Sequence, residues 1–329
     1  MKRFPLIQSS VAALTLVLAA QLMSAAHAAD STPTSLRLDW RPGAQHSPFF
    51  LAQERGYYQD AGLELEIITG SGSSDTVQQV GAGRVELGVA DALVLAQGAE
   101  QQVPITAIAA YYQSSPVVVM SPKDAPITSP EQLPGVKLGH NSGSATSQGL
   151  EALTAANGMT MRDLNLIPMG FGVQPLLAGQ VEAMMGFAMN QPIAAEEAGM
   201  PIQTMPISDH GVDNYGLMLV ANSSFMADNP DLVQGFVTAT LRGIRDAIAN
   251  PEAAVAALMA SVDEGDAARE MKVLAATVPY WLGDEGDEST IGHQKLARWE
   301  QTIAIAEELG LIETEPDASS IFTTKFVQD

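Results

Sequence analysis

The sequence contains no cysteine. Disulfides, thiolate metal sites and a cysteine nucleophile are therefore excluded. Basic residues are scarce: 16 Lys and Arg stand against 38 Asp and Glu, a net charge of −22. So acidic a chain repels nucleic acid and anionic membrane surfaces, and neither is expected as a partner. Beyond the first 28 residues histidine occurs only at His46, His140, His210 and His293, and no two have the H-x-x-x-H spacing of a zinc-protease helix. There is no G-x-S-x-G elbow and no G-x-x-x-x-G-K loop, and Gly70-Ser71-Gly72 lacks the third glycine of a dinucleotide loop. No metal, cofactor or catalytic residue is expected.

The apolar run Val11 to Leu22 is twelve residues long, too short to cross a bilayer. It follows the basic pair Lys2 and Arg3 and precedes Ala26-His27-Ala28, the small-residue pattern of a cleavage site. Residues 1–28 therefore read as an export signal cut after Ala28. With no cysteine to carry a lipid anchor, the mature chain is expected to be free in the periplasm. Removal of Lys2 and Arg3 takes the net charge from −22 to −24. That excess reads as a solvated surface whose self-repulsion a saline habitat would screen.

The remaining chain is globular in composition, 46% hydrophobic and 16% charged, and alternates strand and helix signals. Ser35 to Trp40 alternates in polarity as a strand does. A helix is expected from Ser47-Pro48 through Ala61 to Gly62, where a cap and an early proline start it and a glycine stops it. Leu63 to Ile68 is a second strand, with Glu64 and Glu66 facing solvent. A flexible loop to Asp75 leads into a helix ending near Gly83, then come strands at Val85 to Val89, Ile105 to Ala110 and Val117 to Met120. The same grammar returns: strand Val136 to His140, helix Ser144 to Asn157, strand Leu164 to Pro168, helix Val173 to Ala178 and strand Ala183 to Phe187. Gly62 and Gly158 lie 96 residues apart, as do the A-G-x-V-E segments that begin at Ala82 and Ala178. Two α/β lobes of similar, doubly wound topology follow. After Met218 the chain reads as helical: a short helix capped by Asn222, then Asp228 to Ala249, Glu252 to Ser261, Ala267 to Val278 and Ser289 to Leu309. Without a linker before them, these helices should pack on the first lobe. The expected division is residues 29–118 with 218–329, and 119–217.

Ligands of open α/β sheets sit beyond the carboxyl ends of the strands, at helix starts. Four such loops here are rich in small polar residues: Arg41 to Ser47, Gly70 to Asp75, Asn141 to Ser147 and Ala188 to Gln191. They put forward Gln45, His46, Ser71, Ser73, Ser142, Ser144, Thr146 and Asn190 as ligand contacts. Exposed backbone N–H groups there suit carboxylates, sulfonates or ring heteroatoms, although Ser and Asn also start helices for capping alone. Trp40 and Phe187, at strand ends, would be aromatic walls for a planar ligand. Met184, Met185, Met189 and Met200 read as core filling.

The segment Leu38-Asp39-Trp40-Arg41-Pro42, followed by His46-Ser47-Pro48-Phe49-Phe50-Leu51-Ala52-Gln53-Glu54-Arg55-Gly56-Tyr57-Tyr58 and Gly62-Leu63, resembles the opening of the NMT1/THI5-like family. The likeness continues through Ala82 to Asp91, Gly186 to Pro192 and Trp299 to Ile312. It implies the type II periplasmic binding protein fold, two lobes joined by a two-crossing hinge, here near Val118 to Pro122 and Val212 to Leu217. It also implies the solute-binding component of an ABC importer, a monomer that hands a small molecule to an inner-membrane permease without entering the membrane. The L-D-W-x-P opening looks most like the pyrimidine branch, which implies Trp40 and His46 near the ring. Asn190, Asn214 and Tyr215 would come from the opposite wall or hinge, and Asp91 from the Ala82 to Asp91 stretch. A thiamine-precursor pyrimidine or similar heteroaromatic is the expected ligand, and a sulfonate or other small organic anion the alternative. The synthase branch of the same family needs an internal Lys, a His donor and a Cys-rich run. Gly88 to Leu93 holds neither Lys nor His and the chain has no Cys, which argues against an enzyme. The exported protein should begin at Ala29, so its intact mass should lack Met1 to Ala28. Retention of that segment in a membrane fraction would contradict the export reading.

Overall fold

In the second strand Leu63 and Leu65 are buried while Glu64 and Glu66 face solvent, the period of two that seats a strand on a core. A computed structural model describes residues 31–170, 172–283 and 286–327; the export signal expected at residues 1–28 lies outside them. Among the described residues, ten strands form two five-stranded sheets. The first holds β1 (Thr32–Arg37), β2 (Leu63–Ile68), β3 (Leu87–Asp91), β4 (Ile105–Ala110) and β10 (Leu217–Asn222), in the order β2-β1-β3-β10-β4. The second holds β5 (Val117–Pro122), β6 (Lys137–His140), β7 (Asn165–Pro168), β8 (Ala183–Phe187) and β9 (Ile202–Pro206), in the order β7-β6-β8-β5-β9. The two orders are the same pattern. Three parallel strands are followed by one that has crossed from the other half and runs antiparallel to both neighbours. The 96-residue register holds in space: β3 and β8 start 96 residues apart, and Gly62, Gly158, Gly83 and Gly179 all adopt left-handed backbone.

Helices α1 (Ser47–Glu54), α2 (Tyr57–Asp60), α3 (Ser73–Gly81) and α4 (Ala92–Glu100) flank the first sheet. Helices α5 (Ala145–Ala156), α6 (Gln174–Leu177) and α7 (Gln191–Glu197) flank the second. The C-terminal set is α8 (Ser223–Asp228), α9 (Pro230–Ala249), α10 (Pro251–Met259), α11 (Ala267–Leu282), α12 (Leu296–Glu308) and α13 (Ala318–Ile321). Most contacts of this set are with elements of the first half. Helix α9 crosses α1 so closely that a Cβ on Gly243 would come 2.5 Å from the Pro48 carbonyl oxygen.

The structure differs from the sequence reading in several places. The single helix expected over Ser47 to Ala61 is two, because Gly56 turns left-handed (φ 74°) between them. The first strand is Thr32–Arg37 and not Ser35 to Trp40: Leu38, Asp39 and Trp40 leave the sheet, and Gly70 N–H donates to the Trp40 carbonyl at 3.1 Å. Helices α4, α7 and α13 and strands β9 and β10 were not anticipated; the chain after Met218, read as helical, first completes β10. Helix α4 is apolar almost all round, with Ala92 to Ala96 and Gly98 buried, so it carries no amphipathic stripe. The chain passes between sheets at residues 111–116 and 207–216. The first passage thus precedes Val118 to Pro122, which is already strand paired to β8 and β9. The second includes the expected Val212 to Leu217 region up to Gly216.

The C-terminal segment clamps both passages. Gln113 N–H donates to the Tyr280 carbonyl at 2.8 Å. Tyr215 accepts from Lys295 N–H at 2.8 Å and packs on the fully buried Trp299, ring centroids 5.6 Å apart. Trp299 in turn stacks on Phe322 and donates through Nε1 to Gln294 at 3.0 Å. Trp299→Ala should therefore cost about 3–5 kcal/mol of stability, by the cavity left and the orphaned Gln294. Urea unfolding would show it as a lower midpoint; a loss below about 1 kcal/mol would mean that the clamp is not core.

Candidate ligand site

The ends of the parallel strands of both sheets face one another across a cleft of about 460 Å³, counted to its mouth. That lies within the usual range for small-molecule sites. The first half lines it with Asp39 and Trp40 beyond β1, Gln45 from a short 3₁₀ turn (Ala44–His46), and Gly72 and Ser73 at the start of α3. The second half contributes Asn141, Ser144, Ala145 and Thr146 between β6 and α5, Met185 and Phe187 from β8, and Asn190 and Gln191 at the start of α7.

Local hydrogen bonds orient these groups. Ser144 caps α5, accepting from Ser147 N–H, and donates to the Asn141 carbonyl at 2.6 Å. Asn141 donates to the Met169 carbonyl at 2.6 Å. Gln191 accepts from Phe187 N–H at 2.8 Å, so its side chain is held against the strand end. The two halves meet over the cleft: Ser74 N–H donates to the Gly143 carbonyl at 3.2 Å, and a Cβ on Gly72 would lie 2.6 Å from that oxygen. Only glycine, with φ 136° there, permits this approach. Lys272 on α11 reaches Glu197 on α7 at 2.6 Å, a second bridge between the halves.

Trp40, Gln45, Ser73, Ser144, Thr146, Phe187 and Asn190 are thus brought to one cleft. Six other candidates are not. His46 is fully buried beneath the floor, its Nε2 2.8 Å from Asp39 Oδ1, because the 3₁₀ turn points it inward. Ser71 is exposed and donates to Asp75 at 2.9 Å, joining an ion pair with Arg37. Ser142 is exposed on its loop and does not line the cleft. Asp91 is buried as the cap of α4, accepting from Leu93 N–H at 2.9 Å. Asn214 and Tyr215 belong to the second passage, where Asn214 donates to the Tyr215 carbonyl and Tyr215 holds Lys295. Conversely, Asp39, Gly72, Asn141, Ala145, Met185 and Gln191 line the cleft without having been singled out. All but Asp39 and Met185 fall within the four polar loops. Met185 carried a signal, since it shares a strand face with Phe187 at the period of two. His140 lies at the end of β6, and burial lowers its pKa.

The charge pattern is simple. Asp39 is the only charged side chain among the described residues that line the cleft. No Lys or Arg is among them.

The NMT1/THI5-like family profile matches residues 43–254. The chain belongs to that family. Among its relatives is the riboflavin-binding protein RibY of Chloroflexus aurantiacus, 27% identical over 92% of this chain and 90% of its own. Another is the formylaminopyrimidine-binding protein of Halalkalibacterium halodurans, 24% identical over 98% of this chain and 99% of its own. Among solved structures, the periplasmic aliphatic sulphonate binding protein SsuA of Escherichia coli matches with a TM-score of 0.64 at 14% identity, over 91% of this chain and 95% of that one. The NMT1/THI5-like chain thus has the type II periplasmic binding protein fold, two doubly wound lobes joined by two passages.

Asp91 yields a pH prediction. Burial pushes its carboxyl up to about 7. A folded-state value above the ordinary one means that the native protein holds a proton which the unfolded chain has released between about pH 4 and pH 7. This group's contribution to stability is therefore fully present at acid pH and declines as pH rises through that window. Asp91→Asn keeps the cap and removes the charge. The variant should melt higher than the wild type at pH 8, with the difference shrinking towards pH 5. Thermal melts at both pH values check this; a difference independent of pH would contradict it.

Proposed function

We propose that this chain is the solute-binding component of an ABC importer, an exported periplasmic monomer that carries a small planar heterocycle between its lobes to a membrane permease. The observation that carries the reading is the lining of the cleft. Aromatic rings stand on both sides, Trp40 from the first half and Phe187 from the second, with neutral amides and hydroxyls between them and a single charge, on Asp39. A carboxylate in the lining, with no Lys or Arg among the lining residues, disfavours a sulfonate or nitrate in a partly water-excluded space. It tolerates a neutral ring that offers N–H donors. The family relatives named for riboflavin and formylaminopyrimidine bind ligands of that kind, and a thiamine-precursor pyrimidine fits the same description. A sulfonate remains the alternative, since the starts of α3 and α5 both present backbone N–H groups to the cleft.

No catalytic role is proposed. His46 is fully buried beneath Asp39. Of the features implied for the synthase branch, Gly88 to Leu93 holds no Lys or His and the chain has no Cys. Export agrees with the described residues, among which no helix is long and apolar enough to cross a membrane.

Calorimetric titration with riboflavin, formylaminopyrimidine and taurine tests the reading. One of the heterocycles should bind and taurine should not. Stacking contributes ~1 kcal/mol and indole burial roughly 1–3 kcal/mol. Trp40→Ala should therefore weaken binding about 10- to 100-fold, at ~1.4 kcal/mol per tenfold. Binding of taurine alone would overturn the heterocycle, and an unaffected Trp40→Ala would remove Trp40 from the ligand wall.

A further inference from the structure

Gln45 is a buried amide in the cleft lining. It is only 4% exposed, yet its amide oxygen has no hydrogen-bond partner in the protein. The backbone around it is held from several sides. Ala44 N–H donates to Glu270 Oε2 at 2.7 Å, and Glu270 is itself buried and paired with Arg269 at 2.9 Å. The Tyr111 hydroxyl, buried at the start of the first passage, donates to the Gln45 carbonyl at 2.5 Å. Tyr111 is in turn stacked on Phe49, centroids 5.1 Å apart. His46 N–H closes the turn on the Gly43 carbonyl at 2.8 Å. The amide lies over Gly43, where a Cβ would come 2.6 Å from Gln45 Oε1. The turn is thus built to hold an amide that the protein leaves unsatisfied.

A buried amide left without a partner is costly, and a protein keeps one where something else completes it. Glutamine carries a donor and an acceptor side by side, and its last torsion is soft and roughly two-fold, so either atom can be turned to the cleft. We infer that Gln45 is the specificity-determining residue of the cleft, reading a ring edge on which a hydrogen-bond acceptor lies next to an N–H donor, as in an aminopyrimidine or a lactam. This rests on the heterocycle reading and narrows it. Rings without such an edge are rejected because they leave the amide unpaired. Glu270 and Tyr111 are positioning residues that hold the turn.

The test pairs a residue change with a ligand change. Riboflavin and formylaminopyrimidine are each titrated alongside an analogue with every edge N–H replaced by methyl (N-methyl on a ring lactam, N,N-dimethyl on an exocyclic amine), which removes the donor and keeps the ring. Against the parent heterocycle that binds, Gln45→Leu should weaken affinity roughly 10- to 100-fold. Methylation should weaken the wild type by a similar factor but scarcely affect Gln45→Leu, since the two changes remove one interaction. The ligand-free melting temperature should not fall, because the side chain makes no hydrogen bond within the protein. Gln45→Glu, which keeps the size and loses the donor, provides a second variant and should also bind more weakly. If neither heterocycle binds the wild type, the functional reading fails and the inference falls with it. If a heterocycle binds and Gln45→Leu matches the wild type, or if methylation costs the same in both proteins, the assignment of Gln45 alone is overturned.

Discussion

The cleft exists because the chain passes twice between two sheets of the same topology. Each passage delivers a strand that inserts antiparallel between the third and fourth strands of the sheet it enters, β5 into the second and β10 into the first. The parallel strands of both halves therefore end towards the same space, and every lining segment follows a strand end, begins a helix or, for Met185 and Phe187, closes β8 itself. The passages are short, and the C-terminal helices brace them through Gln113, Tyr215 and Trp299. Motion of one half against the other is thus confined to two braced segments, the arrangement expected of hinge closure.

Electrostatics narrows what the space can hold. Helix starts from both halves would welcome an anion, but Asp39 stands on the floor with His46 fixed behind it at 2.8 Å. Of the other buried carboxylates, Asp91 serves as a helix cap and Glu270 holds the Ala44 N–H. In the proposed reading, Asp39, with no Lys or Arg among the lining residues, favours neutral or donor-bearing groups and the aromatic walls favour flat ones. Glycine at 72 and the carbonyl of Gly143 let the halves touch over the ligand space without a side chain between them. A neutral ring held in this way is shielded from water by the protein backbone itself.

Much of this was legible in the sequence. The doubly wound pattern, the 96-residue repeat and the four polar loops all followed from periodicity and turn chemistry, which are local. What was not legible depended on contacts distant in sequence. Helix α4 is buried on nearly every side, so its apolar run showed no stripe. His46 looked like a ligand because it precedes a helix, and only the inward turn beneath Asp39 removes it. Asn214 and Tyr215 were placed near the ligand by family likeness, whereas Lys295 and Trp299, some 80 residues on, draw them to the brace. Met185 was hidden among methionines that do fill the core, such as Met184 and Met205. The orphaned amide of Gln45 becomes visible only when Glu270, far along the chain, is seen to hold its turn.

The central claim is that one small heterocycle is held between both halves and draws them together. Small-angle X-ray scattering of the protein, alone and saturated with the heterocycle that titrates it, addresses that claim most directly. The account predicts a smaller radius of gyration with ligand, as the ligand-free protein opens at residues 111–116 and 207–216 and the bound form regains the Ser74 to Gly143 contact. An unchanged radius at saturation would contradict it, and would mean a rigid cleft or a ligand held by one half alone.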